Sequence, residues 1–459
     1  MSKKIRLYIL IFCAVCFFSV APVLVAYSMG YRFDFKDMKV VATGGIYVRT
    51  FPTAESITVD SKISVKPGVF SNNIFVQSLL PQEHTVYIQK TGYYDYYKTL
   101  PVEENQVTKL ENVLLLKKNL IYTDIADNTV YFSIAPDSQN IITVTKNVKA
   151  LSIDFFNLNS PSQKQTVLIP EDAEVKDIKW YDNSSYALIK LQNVKGVFYY
   201  FFNASPSTVQ TPTATKLQYL DKNSQQISFN PKNPLEILYV ENNILYNLKN
   251  NKPTAIIKGL ITYTSYGGDI LWFSEEGLLE ESDTLGKLIA DFTTENMIIR
   301  PDYAYNLFYD SGMILLENNG SLFTFDANAK TFKILSTIEG TYKIILAPDN
   351  KNLVLYNDNK IFLYSFLNDT LELLYEGGSI TDCQWVNNDY IIFTAGNNIF
   401  ISEVDYRGNI NLITLPSSVE LADNSQLQII SPQAFYASQS GILYVLTEST
   451  LLASEKITP

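Results

Sequence analysis

The sequence predicts an all-β protein with an N-terminal transmembrane helix, a small β-sandwich and a β-propeller of eight blades, or alternatively seven. Three observations support this prediction: a long apolar run near the N-terminus, apolar–polar alternation over residues 44–116, and a strand–turn–strand pattern that recurs after residue 118. The 31 tyrosines and 26 phenylalanines suit a strand-rich chain. The predicted domains are residues 1–31 (cytoplasmic stub and membrane anchor), 32–117 (sandwich) and 118–459 (propeller).

The N-terminal apolar run is the candidate membrane anchor. It covers residues 7–29 and follows Lys3, Lys4 and Arg6. A helix rises about 1.5 Å per residue, so this length crosses a hydrocarbon core of about 30 Å. A secretory signal is the alternative, but residues 25–28 show no small-x-small cleavage pattern. We therefore expect a single-pass anchor in the cell membrane, with the N-terminus cytoplasmic and the ectodomain extracytoplasmic.

The segment after the anchor contains several short strand patterns. Apolar residues alternate with polar ones at residues 46–50, 57–60 and 84–90, and turn residues separate these runs. A succession of short strands in so few residues predicts a small β-sandwich.

Five patches in this segment resemble the PEGA domain family. They are residues 45–48 (GIYV), 50–52 (TFP), 54–60 (AESITVD), 80–86 (LPQEHTV) and 90–93 (KTGY), in the order found in that family. Pro81-Gln82 stands where the family usually has Pro-Gly. The resemblance implies a compact β-sandwich found beside envelope and surface domains, and it implies no catalytic activity.

The rest of the chain repeats a unit in which an apolar strand, a polar turn and a second apolar strand follow one another. The repeats begin at positions 134, 180, 229, 272, 308, 346, 385 and 430, at intervals that average about 42 residues. Four-stranded propeller blades repeat at about 40–45 residues. Residues 120–123 precede the first repeat, and we expect them to supply the outer strand of the last blade and close the ring.

Two details of the repeats add to the propeller prediction. The turns that begin at Ala135 and Ala347, each followed by Pro-Asp, resemble those of Tol-type β-propeller repeats. Trp180, Trp272 and Trp385 occupy the same position of the pattern, which predicts that they pack between blades.

The composition excludes several kinds of catalytic and binding site. His84 is the only histidine and falls in the sandwich, so the repeats can hold neither a Ser-His-Asp triad nor a histidine metal site. Cys13 and Cys16 lie in the apolar run and Cys383 stands alone, which excludes a disulfide within the ectodomain. The net charge of −11 disfavours nucleic acid as a partner. We predict no catalytic residue, no metal and no cofactor.

The remaining candidates are acidic pairs and a tyrosine cluster. Glutamate pairs occur at 103–104, 275–276 and 280–281, but adjacent residues of a strand point to opposite faces and make poor catalytic pairs. The cluster consists of Tyr93, Tyr94, Tyr96 and Tyr97. Tyr94 and Tyr96 would share one strand face and are the predicted binding residues.

The sequence favours a non-enzymatic binding or scaffolding protein. The anchor would tether it, and the propeller would be presented to an envelope protein or a cell-surface glycan. The alternative is an envelope carbohydrate-active hydrolase or lyase with carboxylates at the propeller centre.

Overall fold

The computed structural model describes residues 3–68, 71–204, 211–310, 312–338 and 340–457. The chain divides into two compact units. The first comprises the described parts of Met1–Leu120, Ile401–Leu415 and Lys456–Pro459, and the second those of Ile121–Phe400 and Pro416–Glu455. Met1 and Ser2, in the predicted cytoplasmic stub, lie outside the described residues.

The first unit begins with one long helix, α1 (Lys3–Ser28), which contains Pro22. The part from Ile5 to Ser28 is long and apolar enough to cross a membrane, and none of it is buried in the protein. The backbone N–H of Met29 still donates to the carbonyl of Val25 (2.9 Å), and Gly30 at a φ of +90° then ends the helix.

A two-stranded antiparallel hairpin follows the helix directly. Its strands are β1 (Tyr31–Asp34) and β2 (Lys39–Ala42). Val41 and Ala42 at its base are buried, whereas the residues of its tip are exposed.

Two small sheets form the predicted sandwich. Strand β3 pairs antiparallel with β6 and parallel with β9, and the second sheet has the order β5-β4-β7-β8. The inward side chains of both sheets form one apolar core, in which Ile46, Val48, Ile57 and Val86 are fully buried. The strands are β3 (Gly44–Phe51), β4 (Ser56–Val59), β5 (Ile63–Val65), β6 (Asn73–Leu79), β7 (Glu83–Gln89), β8 (Tyr96–Pro101) and β9 (Val107–Leu114).

Eight sheets follow in the described residues, and four antiparallel strands of each form one propeller blade. We name the strands of a blade A to D from first to fourth. Blades 1 to 4 contain β11 (Thr129–Ile134), β12 (Asn140–Lys146), β13 (Leu151–Asn157) and β14 (Gln165–Ile169); β15 (Glu174–Trp180), β16 (Tyr186–Asn193), β17 (Gly196–Asn203) and β18 (Thr213–Leu217); β19 (Gln225–Asn230), β20 (Asn233–Glu241), β21 (Ile244–Lys249) and β22 (Lys252–Lys258); β23 (Leu260–Tyr266), β24 (Asp269–Ser274), β25 (Leu279–Ser282) and β26 (Leu288–Asp291).

Blades 5 to 7 repeat the same strand order. They contain β27 (Tyr305–Asp310), β28 (Met313–Asn318), β29 (Ser321–Asp326) and β30 (Thr331–Thr337); β31 (Lys343–Leu346), β32 (Asn352–Tyr356), β33 (Lys360–Ser365) and β34 (Thr370–Glu376); β35 (Ile380–Trp385), β36 (Tyr390–Ala395), β37 (Asn398–Glu403) and β38 (Leu412–Thr414).

Blade 8 combines strands from two distant parts of the sequence. Strands A to C are β41 (Gln433–Ala437), β42 (Ile442–Thr447) and β43 (Thr450–Lys456), and strand D is β10 (Ile121–Ala126). Strand β10 pairs antiparallel with β43, and a short hairpin of β39 (Ser418–Leu421) and β40 (Gln426–Gln428) adds to its other edge. The prediction that a strand near residue 120 closes the ring is thus confirmed.

Neighbouring blades pack face to face through apolar side chains. One buried cluster, for example, joins Phe132 and Phe156 of blade 1 to Tyr444 and Leu451 of blade 8. The A strands of blades 4 and 5, and those of blades 7 and 8, also contact one another. The Gln226 side chain of blade 3 bonds both the carbonyl of Ile261 (3.1 Å) and the N–H of Tyr263 (3.2 Å) in blade 4.

All three tryptophans pack between blades, as predicted, and Trp272 does so in a buried cluster with Leu238 and Val240 of blade 3. The indole N–H of Trp180 donates to Ser133 Oγ of the preceding blade (3.0 Å), and that of Trp385 donates to the carbonyl of Ile345 (3.2 Å). Trp272 is different, because it lies on strand B of blade 4 and donates within its own blade to Ser282 Oγ (3.0 Å). The prediction that all three are equivalent is therefore wrong.

The repeat positions at 272 and 430 are out of register with the other six. Position 272 lies on a B strand, because the A–B turn of blade 4 is the Gly267-Gly268 pair, with both residues at positive φ. Position 430 precedes strand A of blade 8. In both places an apolar run before polar residues resembled an A strand and its turn.

Candidate functional site

The only histidine has a structural environment in the sandwich. His84 lies in β7, is buried, and its Nδ1 and Nε2 contact Asp60 Oδ2 (2.6 Å) and the carbonyl of Leu80 (2.8 Å). Burial alone would raise the pKa of Asp60, but hydrogen bonds from His84 and Thr85 outweigh it and lower that pKa. Among the described residues, no group of three or more His, Cys, Asp or Glu side chains is arranged to hold a metal ion.

The glutamate pairs do not form catalytic pairs. Residues 103–104 and 275–276 lie exposed in turns. Glu280 and Glu281 are neighbours on β25, and burial raises the pKa of each. Because adjacent residues of a strand face opposite sides, these two carboxyls cannot act on one substrate atom.

Two further acids, Asp177 and Asp382, lie on the A strands of blades 2 and 7. Burial, followed by the charges of these two carboxylates, raises the pKa of Tyr131 to about 12. Burial also raises the pKa of Asp382, which accepts from the N–H of Cys383 (2.9 Å) and from Gln384 Nε2 (3.0 Å). These bonds stay within one strand and give the hydrolase alternative no support.

The tyrosine prediction needs a correction at Tyr96. Its side chain is 4% exposed and belongs to the sandwich core, and its hydroxyl donates to Glu403 Oε2 (2.7 Å). Tyr94 precedes β8 and does not share a strand face with Tyr96, because β8 begins only at Tyr96. The ring of Tyr96 therefore has no face open to a ligand. A binding role for Tyr94 stays a prediction.

Tyr96 belongs to a buried polar network that the sequence did not predict. At its centre lies Lys98, which is fully buried within the first unit and contacts residues of Ile401–Leu415. Its ammonium group donates to Glu403 Oε1 (2.5 Å) and to the carbonyls of Asp405 (2.6 Å) and Asn409 (3.0 Å). All three ammonium donors are thus used, which a buried lysine requires.

Glu403 is satisfied at both carboxylate oxygens. Besides Lys98 and Tyr96, it accepts from the backbone N–H (2.8 Å) and side-chain amide (2.9 Å) of Asn411. With four donors on its two oxygens, the Glu403 carboxylate is held in one position at the centre of the network.

The segment around Asn409 lies against the edge of β8. Asn409 bonds the N–H of Thr99 (3.0 Å) and the carbonyl of Tyr97 (2.8 Å) through its side-chain amide. Gly408 has a φ of +63°, and a Cβ there would lie 2.2 Å from the Thr99 carbonyl oxygen. Only glycine allows this approach.

An ion pair between Arg407 and Asp405 stabilises the same segment. Arg407 binds Asp405 through Nε (2.9 Å) and Nη2 (2.7 Å), and Nη2 also donates to the carbonyl of Lys109 (2.9 Å). Burial would raise the pKa of Asp405, but hydrogen bonds from Arg407 and the charge of Lys98 hold it below its usual range. The same hydrogen bonds raise the pKa of Arg407.

We expect the first unit to lose stability in acid through Asp405. A carboxyl whose pKa is lowered by folding stabilises the fold above its unfolded pKa of about 3.9, and this stabilisation is lost as the pH falls through its folded pKa. Unfolding temperatures measured from about pH 5 to about pH 1 should fall less steeply for Asp405→Asn than for the wild type, because the stabilisation from this carboxyl is lost in that range. Equal slopes would contradict this role.

A groove on the propeller is the best candidate for a binding surface. It lies where blades 1 and 2 adjoin, on the face that carries the B–C and D–A loops, which we call the B–C face. Its volume is about 440 Å³. It is lined by Lys146, Asp172, Ala173, Glu174, Lys176, Gln192, Asn193 and Val194.

The groove combines exposed charges with exposed apolar side chains. Lys146 pairs with Asp172 (3.4 Å) and Lys176 with Glu174 (2.8 Å), and all four side chains are solvent-exposed. Such pairs contribute little to stability, so they can exchange partners with an incoming charged segment. Val194, which lines the groove, is exposed in the B–C turn of blade 2, and Val148 is exposed outside the groove lining in the B–C turn of blade 1.

The sequence contains one signal for this groove that the prediction missed. Val194 stands in the turn of residues 193–196 (NVKG), where a polar residue is expected. The turn itself is stable without it, since Asn193 Oδ1 accepts from the N–H of Lys195 (2.8 Å) and Gly196 has positive φ. The exposed valine is therefore not needed for the turn.

Three solved structures are similar to parts of this chain. The Dos1 propeller gives a TM-score of 0.47 at 11% identity, over 74% of this chain and 95% of that chain. BamB from Moraxella catarrhalis gives 0.43 at 13% identity, over 73% and 98%. Kluyveromyces lactis Hsv2 gives 0.38 at 12% identity, over 66% and 100%. At these identities the similarity concerns the fold alone.

No protein-family model and no curated protein matches the chain. The all-β architecture and the propeller follow from the sheets described above. The resemblances to the PEGA domain and to Tol-type repeats have no support from the comparisons and rest only on the residues that suggested them.

Proposed function

We propose that this protein is a non-enzymatic scaffold, anchored in a cell membrane, that presents its propeller to a protein partner outside the cytoplasm. The observation that supports this proposal is the groove between blades 1 and 2. It joins two opposite-charge pairs to the exposed Val194, and Val148 is exposed in the B–C turn of the neighbouring blade. That mixture suits an extended polypeptide segment that carries both charged and apolar side chains.

A protein partner is favoured over a glycan by the lining of the groove. The described lining residues include no aromatic ring, which is the group on which sugar rings stack. The groove is also wide and polar, unlike the mostly apolar clefts that enclose small ligands.

The proposed anchor is α1, and the proposed topology follows the charges that flank it. Arg6 and the two lysines before it precede the apolar helix, so the N-terminus would stay in the cytoplasm. Residues 32–117 would form a PEGA-like sandwich, and residues 118–459 a propeller.

Photo-crosslinking in cells tests the groove. We expect a photoreactive amino acid at Val194 to form a discrete adduct with a partner protein. The double charge reversal Lys146→Glu, Lys176→Glu should reduce that adduct several-fold, because it removes both basic groups that pair with the partner's acids.

Leu285 provides the matched control. It is an exposed apolar residue in the C–D loop of blade 4, on the face opposite to the B–C face. The same photoreactive group there should give no such adduct. Adducts of equal yield at both positions, or an adduct unaffected by charge reversal, would argue against the groove as the binding site.

A further inference from the structure

The hairpin β1–β2 exposes more apolar surface than its position after a helix explains. Phe35 is 82% exposed, Met38 72% and Val40 62%, and Phe33 is also exposed. Large apolar side chains gathered in one exposed hairpin indicate a surface that something apolar covers.

The strand register separates these residues from the charged ones. Phe33 lies opposite Val40, whereas Asp34 lies opposite Lys39. Since side chains alternate along a strand, one face of the hairpin is apolar and the other is charged. The rings of Phe33 and Phe35 contact each other edge to face, with centroids 5.0 Å apart, which extends the apolar face to the tip.

The turn at the tip satisfies part of its own backbone. Asp34 Oδ1 accepts from the N–H groups of Lys36 (2.8 Å) and Asp37 (3.4 Å). This lowers the cost of moving the tip toward the hydrocarbon region, where an unpaired backbone N–H has no water partner.

The hairpin is fastened to the end of α1. The carbonyl of Gly30 accepts from the N–H (3.0 Å) and the hydroxyl (2.6 Å) of Thr43, just after β2. Arg32 donates to the carbonyls of Tyr27 (2.7 Å) and Tyr31 (2.8 Å) and lies over the Tyr27 ring. The hairpin therefore has a fixed attachment to the last turn of the helix.

The length of α1 places this attachment at a bilayer surface. The 24 residues from Ile5 to Ser28 extend about 36 Å at about 1.5 Å per residue, slightly more than a hydrocarbon core of about 30 Å. A hairpin that begins three residues later starts within the interfacial layer, where aromatic residues are favoured.

We propose that the β1–β2 hairpin is a lipid-inserting wedge whose apolar face and tip lie in the interface of the bilayer that α1 crosses. This inference rests on the proposed membrane anchoring. The hairpin contains three basic and two acidic side chains, which nearly cancel. Insertion is therefore driven by the apolar residues and does not require anionic lipid.

A fluorescent label in the full-length protein tests the wedge. The protein is reconstituted in phosphatidylcholine vesicles, with Cys13 and Cys16 replaced by serine and an environment-sensitive dye on Met38→Cys. We expect quenching by a lipid-borne nitroxide and protection from aqueous iodide, both unchanged when phosphatidylserine is added. Adding Phe33→Ser and Phe35→Ser should reverse both effects. A dye at Val194→Cys, another exposed apolar turn position, should be open to iodide throughout.

A second label separates the hairpin from the anchor. A dye on the native Cys16, in the middle of α1, should be quenched by a nitroxide at the bilayer centre. If Cys16 is quenched but position 38 is open to iodide, the wedge is overturned and the anchor stands. If Cys16 is itself open to iodide, the proposed anchoring fails. Protection of position 38 from iodide without lipid quenching would mean that protein covers the hairpin, which also overturns the wedge.

Discussion

Replacing Lys98 by methionine is expected to destabilise the first unit by about 3–5 kcal/mol. The substitution preserves most of the side-chain volume but leaves the carboxylate of Glu403 buried without its cation. Breaking a buried ion pair at one partner is costly for this reason. Hydrogen exchange of residues 96–101 and 401–415 should show the loss directly, because these segments share the network.

The double variant Lys98→Met, Glu403→Gln shows whether the pair is coupled. It removes both charges, and we expect it to be more stable than Lys98→Met alone. Lys109→Ala is the matched control, since Lys109 forms an exposed pair with Glu111 at 3.6 Å and should contribute little. Additive losses in the double variant would contradict a buried ion pair.

Tyr122→Ala is expected to weaken ring closure by about 3–5 kcal/mol. Tyr122 is 1% exposed and lies on β10, the strand that completes blade 8. Its carbonyl also accepts from the N–H of Ala422 (2.8 Å), so the strand organises the neighbouring hairpin. Faster hydrogen exchange in β43 and in residues 418–428 would be the signature of an opened ring.

Ile121→Ala is the control for this prediction. Ile121 is the neighbour of Tyr122 on the same strand, but its side chain is 48% exposed on the other face. We expect a loss of about 0.5 kcal/mol or less. If both variants exchange alike, the buried tyrosine does not hold the ring closed.

The repeated strands could be predicted because their information is local. Six of the eight repeat positions fall on A strands or their ends, since an apolar run before a Pro, Asp or Asn turn recurs in each of those blades. The two failures came from blades with other turns. In blade 4 the Gly267-Gly268 turn lacks the pattern, and in blade 8 the pattern at position 430 lies in the connection between β40 and strand A.

The functional surfaces could not be predicted in the same way. The Lys98–Glu403 pair joins residues 305 positions apart, and neither residue stands in a recognisable motif. The groove is assembled from loops of two blades, so its residues become neighbours only after the blades pack. The Tyr96 prediction failed because alternation defines which residues share a face but not which face is buried.

The origin of strand D in blade 8 also has a consequence for biogenesis. Strand β10 emerges from the ribosome some three hundred residues before its partner β43. At about 5–20 residues per second, that interval lasts roughly 15 to 70 s. During this interval β10 has no partner strand, and its unpaired backbone groups can pair with other chains. We therefore expect chaperones that bind unfolded segments to associate with early intermediates. Premature stop codons late in the reading frame should therefore yield products that aggregate, even though most of their blades are complete.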